Sequence, residues 1–528
     1  MAASDQSWKL ETPIAEATQG FVVSGFAALQ AGRALFLELP GASNGAWLAE
    51  LQAAYPVTPA SQIGGGAKVD HAVSMAFTWS GLERMGLPAP ALASFSAPFR
   101  EGMFQEDRLR RLGDRRNGNW LDTTGKRAPR WSGNIPPKAR DERPEAYDVA
   151  LDNAETAVTT EISVHALLLI YTSDAAHSAE TPVMDRVIGE VEAILTKHGV
   201  AMVHQLPLVL DVEGKGFSRE HFGFADGLSQ PQPFDKGGAL RPGKPQIPAQ
   251  SVPLGEIMLG YKNAHQEVPP GPVVDGIKDN RVKDTGLTAH PRAQGFCDIG
   301  LNGSYLVVRE LRQDVPAFWQ SMDRAAQTIR DADPEASEIT GEWLAEKVVG
   351  RTKEGHVLTP KGPHKPDAQD RPENDFLFYE TDAHGTGCPL GSHIRRAHPR
   401  DSLAPKPELT ETLLKAANNH RILRRGRKYG PKIADARVDD GQDRGLLFMC
   451  LNTDIARQFE FVQQTWLLNS DFETLFEEVD PLIGADGGMT VPEDGLRRRV
   501  HVQTFVHMMG GEYFFLPSLP TLTYLARL

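Results

Sequence analysis

Two passages of this chain share one grammar. VHALLLIY, residues 164 to 171, is a short run that is apolar apart from His165; VMDRVIGEVEAILTKHG follows with apolar residues at helical spacing, and AMVHQLPLVL comes next. From residue 304 the pattern returns as SYLVVREL, VPAFWQSMDRAAQTI and, further on, GLLFMCL. A run of seven or eight apolar residues suits a buried strand, whereas recurrence every three or four positions marks an amphipathic helix. Strand, helix, strand in that order predicts an α+β chain of two similar units rather than one large sheet.

Other segments fit the same plan. FVVSGF at 21 to 26, ALFLEL at 34 to 39 and AVSMAFTW at 72 to 79 read as strands, IARQFEFVQQTWLL as a helix, and HVQTFVHM and EYFFLP as two closing strands. Residues 105 to 160 are charged and rich in Pro and Gly, which predicts a surface excursion, and 231 to 300 is irregular and long enough to wrap a site. GGGAK at 64 to 68 lacks the spacing of a dinucleotide fingerprint and reads as a loop. The expected division is an N-terminal unit of residues 1–235 and a C-terminal unit of residues 236–528.

A formal charge of −13 over 528 residues argues against general nucleic-acid binding, which needs a positive face to displace counterions. No apolar run reaches the length of a bilayer span and the start, MAASDQSWKLETP, lacks a basic lead and an apolar core, so a cytoplasmic protein is expected. Cys297, Cys388 and Cys450 form no C-x-x-C or C-x-x-C-H, which argues against a disulfide framework, a zinc knuckle and covalently attached haem. P-loop, zincin and serine-hydrolase motifs are absent.

Four blocks could carry chemistry. In HFGFADGLSQP, residues 221 to 231, Asp226 stands between glycines, a pattern that serves either a turn or a presented carboxylate. GCPLGSHIRRAHPRD, from 387 to 401, offers His393 as a metal ligand with Arg395, Arg396 and Arg400 close behind, and His398 as a rival set against Pro399. In NNHRILRRGRKYG, from 418 to 430, Arg424 follows an apolar pair and is the one expected to enter a pocket; Arg421, Arg425 and Arg427 read as a solvated basic helix end. In RGLLFMCLN, Leu446 and Phe448 share one strand face, an arrangement that more often marks core than pocket.

In order and local form, GFADGLSQP, GCPLGSHIRRAHPR, HRILRRGRKYG and RGLLFMCLN resemble the dye-decolorising peroxidases, and the likeness runs from about residue 18 to the C-terminus, closest to the long bacterial members. The resemblance implies two ferredoxin-like α+β units with antiparallel sheets and non-covalent haem b held mainly by the C-terminal one. It implies hydrogen peroxide and a reducing dye or phenolic as partners, and a homo-oligomer is compatible with it. It makes His393 the iron ligand, Asp226 and Arg424 the distal acid–base and charge-stabilising residues, and Leu446 and Phe448 the apolar distal lining. Arg400 and Arg395 are the nearest matches for propionate partners. The acceptor behind His393 is open, with Glu460, Asp454 and Asp471 suited by type alone and Thr504 and His501 where an acid would be expected.

A distal aspartate of ordinary pKa, about 3.9, implies an acidic optimum for dye oxidation. Trp466, Tyr429 and Tyr305 could relay electrons to large dyes, although core packing is the commoner role for such residues. Two rivals stand beside this reading: a thiolate-ligated enzyme through Cys388, and a haem-binding or iron-releasing protein with little peroxidase activity.

Overall fold

The computed structural model describes all residues except 1–7, 42, 64–69, 117–118, 121–128, 134–161, 214–216, 236–237, 241–245, 361, 364–373 and 494. The GGGAK loop and most of the excursion at 105 to 160 lie outside the described residues. In the first half, strands β1 (Ala31–Glu38), β2 (His71–Phe77), β3 (Ala166–Thr172) and β4 (Ala201–Val209) pair antiparallel in the order β4-β1-β3-β2. The second half repeats that order. Strand β5 (Ser304–Gln313), the short β6 (Leu423–Arg424) and β7 (Arg427–Tyr429), β8 (Gly445–Asn452) and β9 (Val506–Leu516) pair as β9-β5-β8-β7, with β6 also on β8. Each half thus has the expected ferredoxin-like antiparallel order, but the expectation of two units instead of one large sheet is corrected, because the halves hydrogen-bond into a single continuous sheet.

The two sheets join at both edges. Lys428 and Tyr429 of β7 pair with Val209 and Leu208 of β4, and Phe515 of β9 pairs with Phe77 of β2. The ring this closes spares four edges that would otherwise expose unpaired amides. Alternate residues of its strands, among them Phe36, Leu167, Leu206, Val308, Leu447, Met449 and Phe514, form one buried cluster. The intervening residues, such as Leu35, Leu168, Val307 and Cys450, belong to a second cluster, which includes buried positions of helices α1 (Ala46–Ala54) and α2 (Pro182–Lys197). A third cluster gathers helices α3 (Val315–Ala332) and α4 (Gly341–Val349), the hairpin Gly487–Glu493/Leu496–Val502, and Phe222 and Phe224.

Several sequence expectations need correction. FVVSGF is not a strand: Gly20–Val23 is a short buried helix, and the carbonyls of Phe21, Val22, Gly25, Phe26, Leu29 and Gln30 accept from Arg425 and Arg427. Those arginines are therefore not a solvated helix end. They lie in and beside β7, and Arg421, Arg425 and Arg427 are 6%, 8% and 3% exposed. HVQTFVHM divides: His501 and Val502 end the hairpin, while Val506 begins a single strand that runs on through EYFFL. The helix expected over IARQFEFVQQTWLL forms with wide π turns at Ala456–Glu460 and Val462–Leu467.

Candidate active site

His393 opens a five-residue helix, α5 (His393–Ala397), after a turn in which the Ser392 amide donates to the Pro389 carbonyl. Its Nδ1 lies 2.9 Å from Asp480 Oδ2. Asp480 is fully buried, and its other oxygen accepts from the amides of Leu482 and Ile483 at 2.9 and 3.0 Å. Burial alone would favour a neutral ring, but the Asp480 charge and hydrogen bond outweigh it and raise the pKa of His393. Burial would likewise raise Asp480, yet its imidazole partner brings it below the usual carboxylate range. With Nδ1 committed to Asp480, Nε2 is the nitrogen left for a ligand, as in oriented metal-binding histidines.

Asp226 and Arg424 meet each other: Arg424 Nη1 donates to Asp226 Oδ1 at 3.2 Å, and both side chains are 36% exposed. Gly223 and Gly227 take positive φ, so the loop does turn around Asp226. Gln230 ties that loop to β6, since its Oε1 accepts from the Arg424 amide at 3.0 Å and its Nε2 donates to the Arg424 carbonyl at 3.2 Å. The charges of both Arg424 and Asp226 act on His393 in opposite senses, Arg424 lowering and Asp226 raising its pKa. Arg424 is in register with Cys450 on β8, which puts it on the strand face that carries Leu446 and Phe448. Those two are half-buried, while Leu447 and Met449 between and beyond them are in the core.

No family model matches the chain. It is 31% identical over 345 residues to a dye-decolorizing peroxidase of Mycena epipterygia, an alignment that spans 58% of this chain and 57% of that protein. It is 29% identical over 382 residues to the dye-decolorizing peroxidase msp1 of Mycetinis scorodonius, spanning 68% and 65%. The matches thus cover less than two thirds of these curated relatives. The crystal structure of a DyP-type peroxidase from Anabaena sp. superposes with a TM-score of 0.67 at 22% identity, over 97% of this chain and 95% of that one, a likeness of fold.

In sequence and in fold the chain is similar to the dye-decolorising peroxidases.

Dye-decolorising peroxidases are haem-dependent, so the buried basic side chains of this half of the chain can be tested against that group. Arg351, Arg400, Arg421 and His398 are 3%, 2%, 6% and 9% exposed. Arg351 donates to the Gly355 carbonyl and Asn374 Oδ1, Arg400 to the carbonyls of Asn374 and Phe376, and Arg421 to the Ala249 carbonyl. Burial, and then the like charges around them, lower all four pKa values, Arg351 to about 10 and Arg421 to about 9. Arg424 is one of the cations acting on both Arg351 and Arg421. Among the described residues Arg400 and Arg421 form no ion pair. Buried cations answered by neutral acceptors are costly to hold, and an anionic ligand relieves that cost. The residues present fit a cofactor that brings one nitrogen-seeking metal and carboxylates.

Arg395 is placed differently. In a helix a residue two positions on points some 200° away, and Arg395 is fully buried with Nη1 on the Asp382 and Cys388 carbonyls and its guanidinium over Phe378. Cys388 is also buried, its Sγ 3.0 Å from Ser392 Oγ and its pKa raised by burial, a poor setting for a thiolate. The acids suited by type to hold His393 are elsewhere: Glu460 binds Arg108 and Tyr513, Asp454 receives the Arg457 amide, and Asp471 is exposed. Tyr305 and Tyr429 are 0% and 3% exposed core residues, and Trp466 packs at right angles to His420 and Phe461. Asp480, Gln230 and Arg351 went unseen in the sequence, and Arg421 was read there as part of a solvated helix end. Only Gln230, inside the motif, and Asp480, an Asp before Pro with turn-capping potential, carried a local signal.

Proposed function

We propose that this chain is a haem b peroxidase that uses hydrogen peroxide to oxidise dyes, phenolics and similar one-electron donors, the haem being held without covalent attachment. The observation that carries the reading is the Asp226–Arg424 pair, 3.2 Å apart, acting on a His393 already oriented by Asp480. Bound through His393 Nε2, haem would supply the iron and the redox chemistry. Asp226 takes a proton from the inner peroxide oxygen and returns it to the outer one, acting as base and then acid. Arg424 Nη1 holds the hydroperoxide anion and stabilises charge on the departing oxygen. Leu446 and Phe448 keep bulky donors and water from that space, and Arg400, joined by Arg351 and Arg421, receives the haem carboxylates.

Asp480 keeps the Nδ1 proton of His393 in place and makes Nε2 a stronger electron donor. A protein that merely carries or releases haem needs His393 but gains nothing from the Asp226–Arg424 pair. The test is stopped-flow absorbance after addition of peroxide. His393→Ala should lose the Soret band, while Asp226→Asn and Arg424→Leu keep it and react about 10²- to 10³-fold more slowly. Wild-type rates in both distal variants would leave the carrier reading instead.

A further inference from the structure

The loop that presents Asp226 is shaped by a carboxylate that the mechanism above does not use. Glu220 Oε2 accepts the Phe222 amide at 2.8 Å and Oε1 accepts the Phe224 amide at 2.8 Å. Its own amide donates to the Phe224 carbonyl at 3.0 Å and its carbonyl accepts from Gly223 at 3.0 Å, so one residue closes the whole HFGF turn. The next residue, Ala225, donates to the Lys353 carbonyl at 2.9 Å and leads directly into Asp226. Glu220 is half-buried, yet its carboxylate ends among Phe222, Phe224 and Gln313, which are 3%, 3% and 5% exposed.

From β5, Gln313 Nε2 donates to Glu220 Oε2 at 2.7 Å, whereas Gln313 Oε1 is buried with no hydrogen-bond partner. Turning the amide over would offer that oxygen to Glu220, and a protonated carboxyl is the form that could donate to it. The pair therefore has two arrangements, an ionised acid receiving Nε2–H and a neutral acid giving its O–H to Oε1.

The charged groups around it are few. Arg219 donates to the carbonyls of Gly223 and Lys353, the His221 ring is 2.7 Å from the Tyr429 carbonyl, and Glu354 lies 3.7 Å from Arg219. Helix α3 contributes the aromatic rings of Phe318 and Trp319, stacked on Phe222 and Phe224. No ion pair includes Glu220 among the described residues. Burial, with the Asp226 charge adding to it and the three hydrogen bonds opposing, pushes Glu220 up to about 7.

We propose that Glu220 and Gln313 form a positioning pair for Asp226, a clasp that shapes its loop and, by exchanging one proton with solvent, changes the charge that Asp226 faces. The proposal rests on the reading of Asp226 as the peroxide-facing carboxylate only for its consequence in catalysis. Infrared difference spectra of the haem-loaded protein between pH 5 and 9 test the clasp itself. Wild type should show protonated-carboxyl absorption that titrates near neutrality and to which Glu346, pushed up to about 7 by burial, also contributes; Glu220→Gln should lose the Glu220 part while the Glu346 part stays. Gln313→Leu should keep the band and move its midpoint upward, because the ionised form loses a donor.

A Glu220→Gln spectrum identical to wild type, or an unmoved midpoint in Gln313→Leu, overturns the proposal. The pH profile of the peroxide reaction is the second readout. A component near neutrality present in wild type and absent in Glu220→Gln supports it, whereas a uniform fall at every pH reduces Glu220 to plain loop support and overturns the proton exchange. Should the wild type fail to react with peroxide, the proposed function falls and the infrared result still decides the clasp.

Discussion

Asp480 stands 87 positions after His393, 2.9 Å from it in space, with its second oxygen held by two amides. That double restraint is what makes it an effective orienting group, because the carboxylate cannot swing away from the ring. Asp480→Asn should keep the shape, remove the charge and lower haem affinity about 10- to 100-fold, read by titration of the haem-free protein with haem. Unchanged affinity would show that the carboxylate charge does not hold the ring. At this scale the sequence was informative where chemistry is concentrated in a short motif. Asp226 and Arg424 were legible, and their meeting at 3.2 Å agrees with the motifs. Their supports were not legible, since Asp480 and Arg351 lie in segments with no spacing rule that links them to His393.

Helix α5 is too short to hold itself, having only five residues. Arg396, on its last turn, donates to the carbonyls of Trp466, Asn469 and Glu478 at 2.9, 3.0 and 2.7 Å, and so fastens α5 to the segment that leads to Asp480. Arg396→Leu should strand those carbonyls, cost about 3 kcal/mol or more, and speed amide exchange across residues 466 to 483. Exchange confined to other regions would show that the staple lies elsewhere. Strand β8 has a similar fixed point: a Cβ at Gly445 would sit 2.0 Å from the Leu311 carbonyl on β5. Gly445→Ala should push those strands apart, destabilise the protein by about 3 kcal/mol and disturb Leu446 beside it, as chemical denaturation would report. Element types were largely readable here, for periodicity is local; the π turns at 456 to 467 were not, because so few widened turns do not shift the apolar period of the helix enough to show in the sequence.

For the molecule as a whole, closure of the two sheets into one ring decides what is inside. Its stability should also depend on pH in a definite direction. Burial pushes Glu220 and Glu346 each up to about 7, while the unfolded chain releases those protons near the ordinary value of about 4.3. Between those values the native state binds more protons, so stability should fall as pH rises from about 4.5 to about 7. Asp480, held low, works at the other end, and its contribution is lost as pH falls through and below the ordinary carboxylate range. Denaturation midpoints at a series of pH values would check both limbs; a midpoint that climbs steadily from pH 5 to 7 would contradict the first.

By itself the sequence determined the strand and helix alternation and the two ferredoxin-like units, and it singled out His393, Asp226 and Arg424 as candidates, because side-chain periodicity and compact motifs are written in neighbouring positions. Only the tertiary structure decided that Arg421, Arg425 and Arg427 are buried, that FVVSGF is a short helix under two arginines, and that Asp480 meets His393. The reason is physical. Whether a charge is solvated, and which acid meets which base, depends on what the closed sheet brings over it from hundreds of residues away.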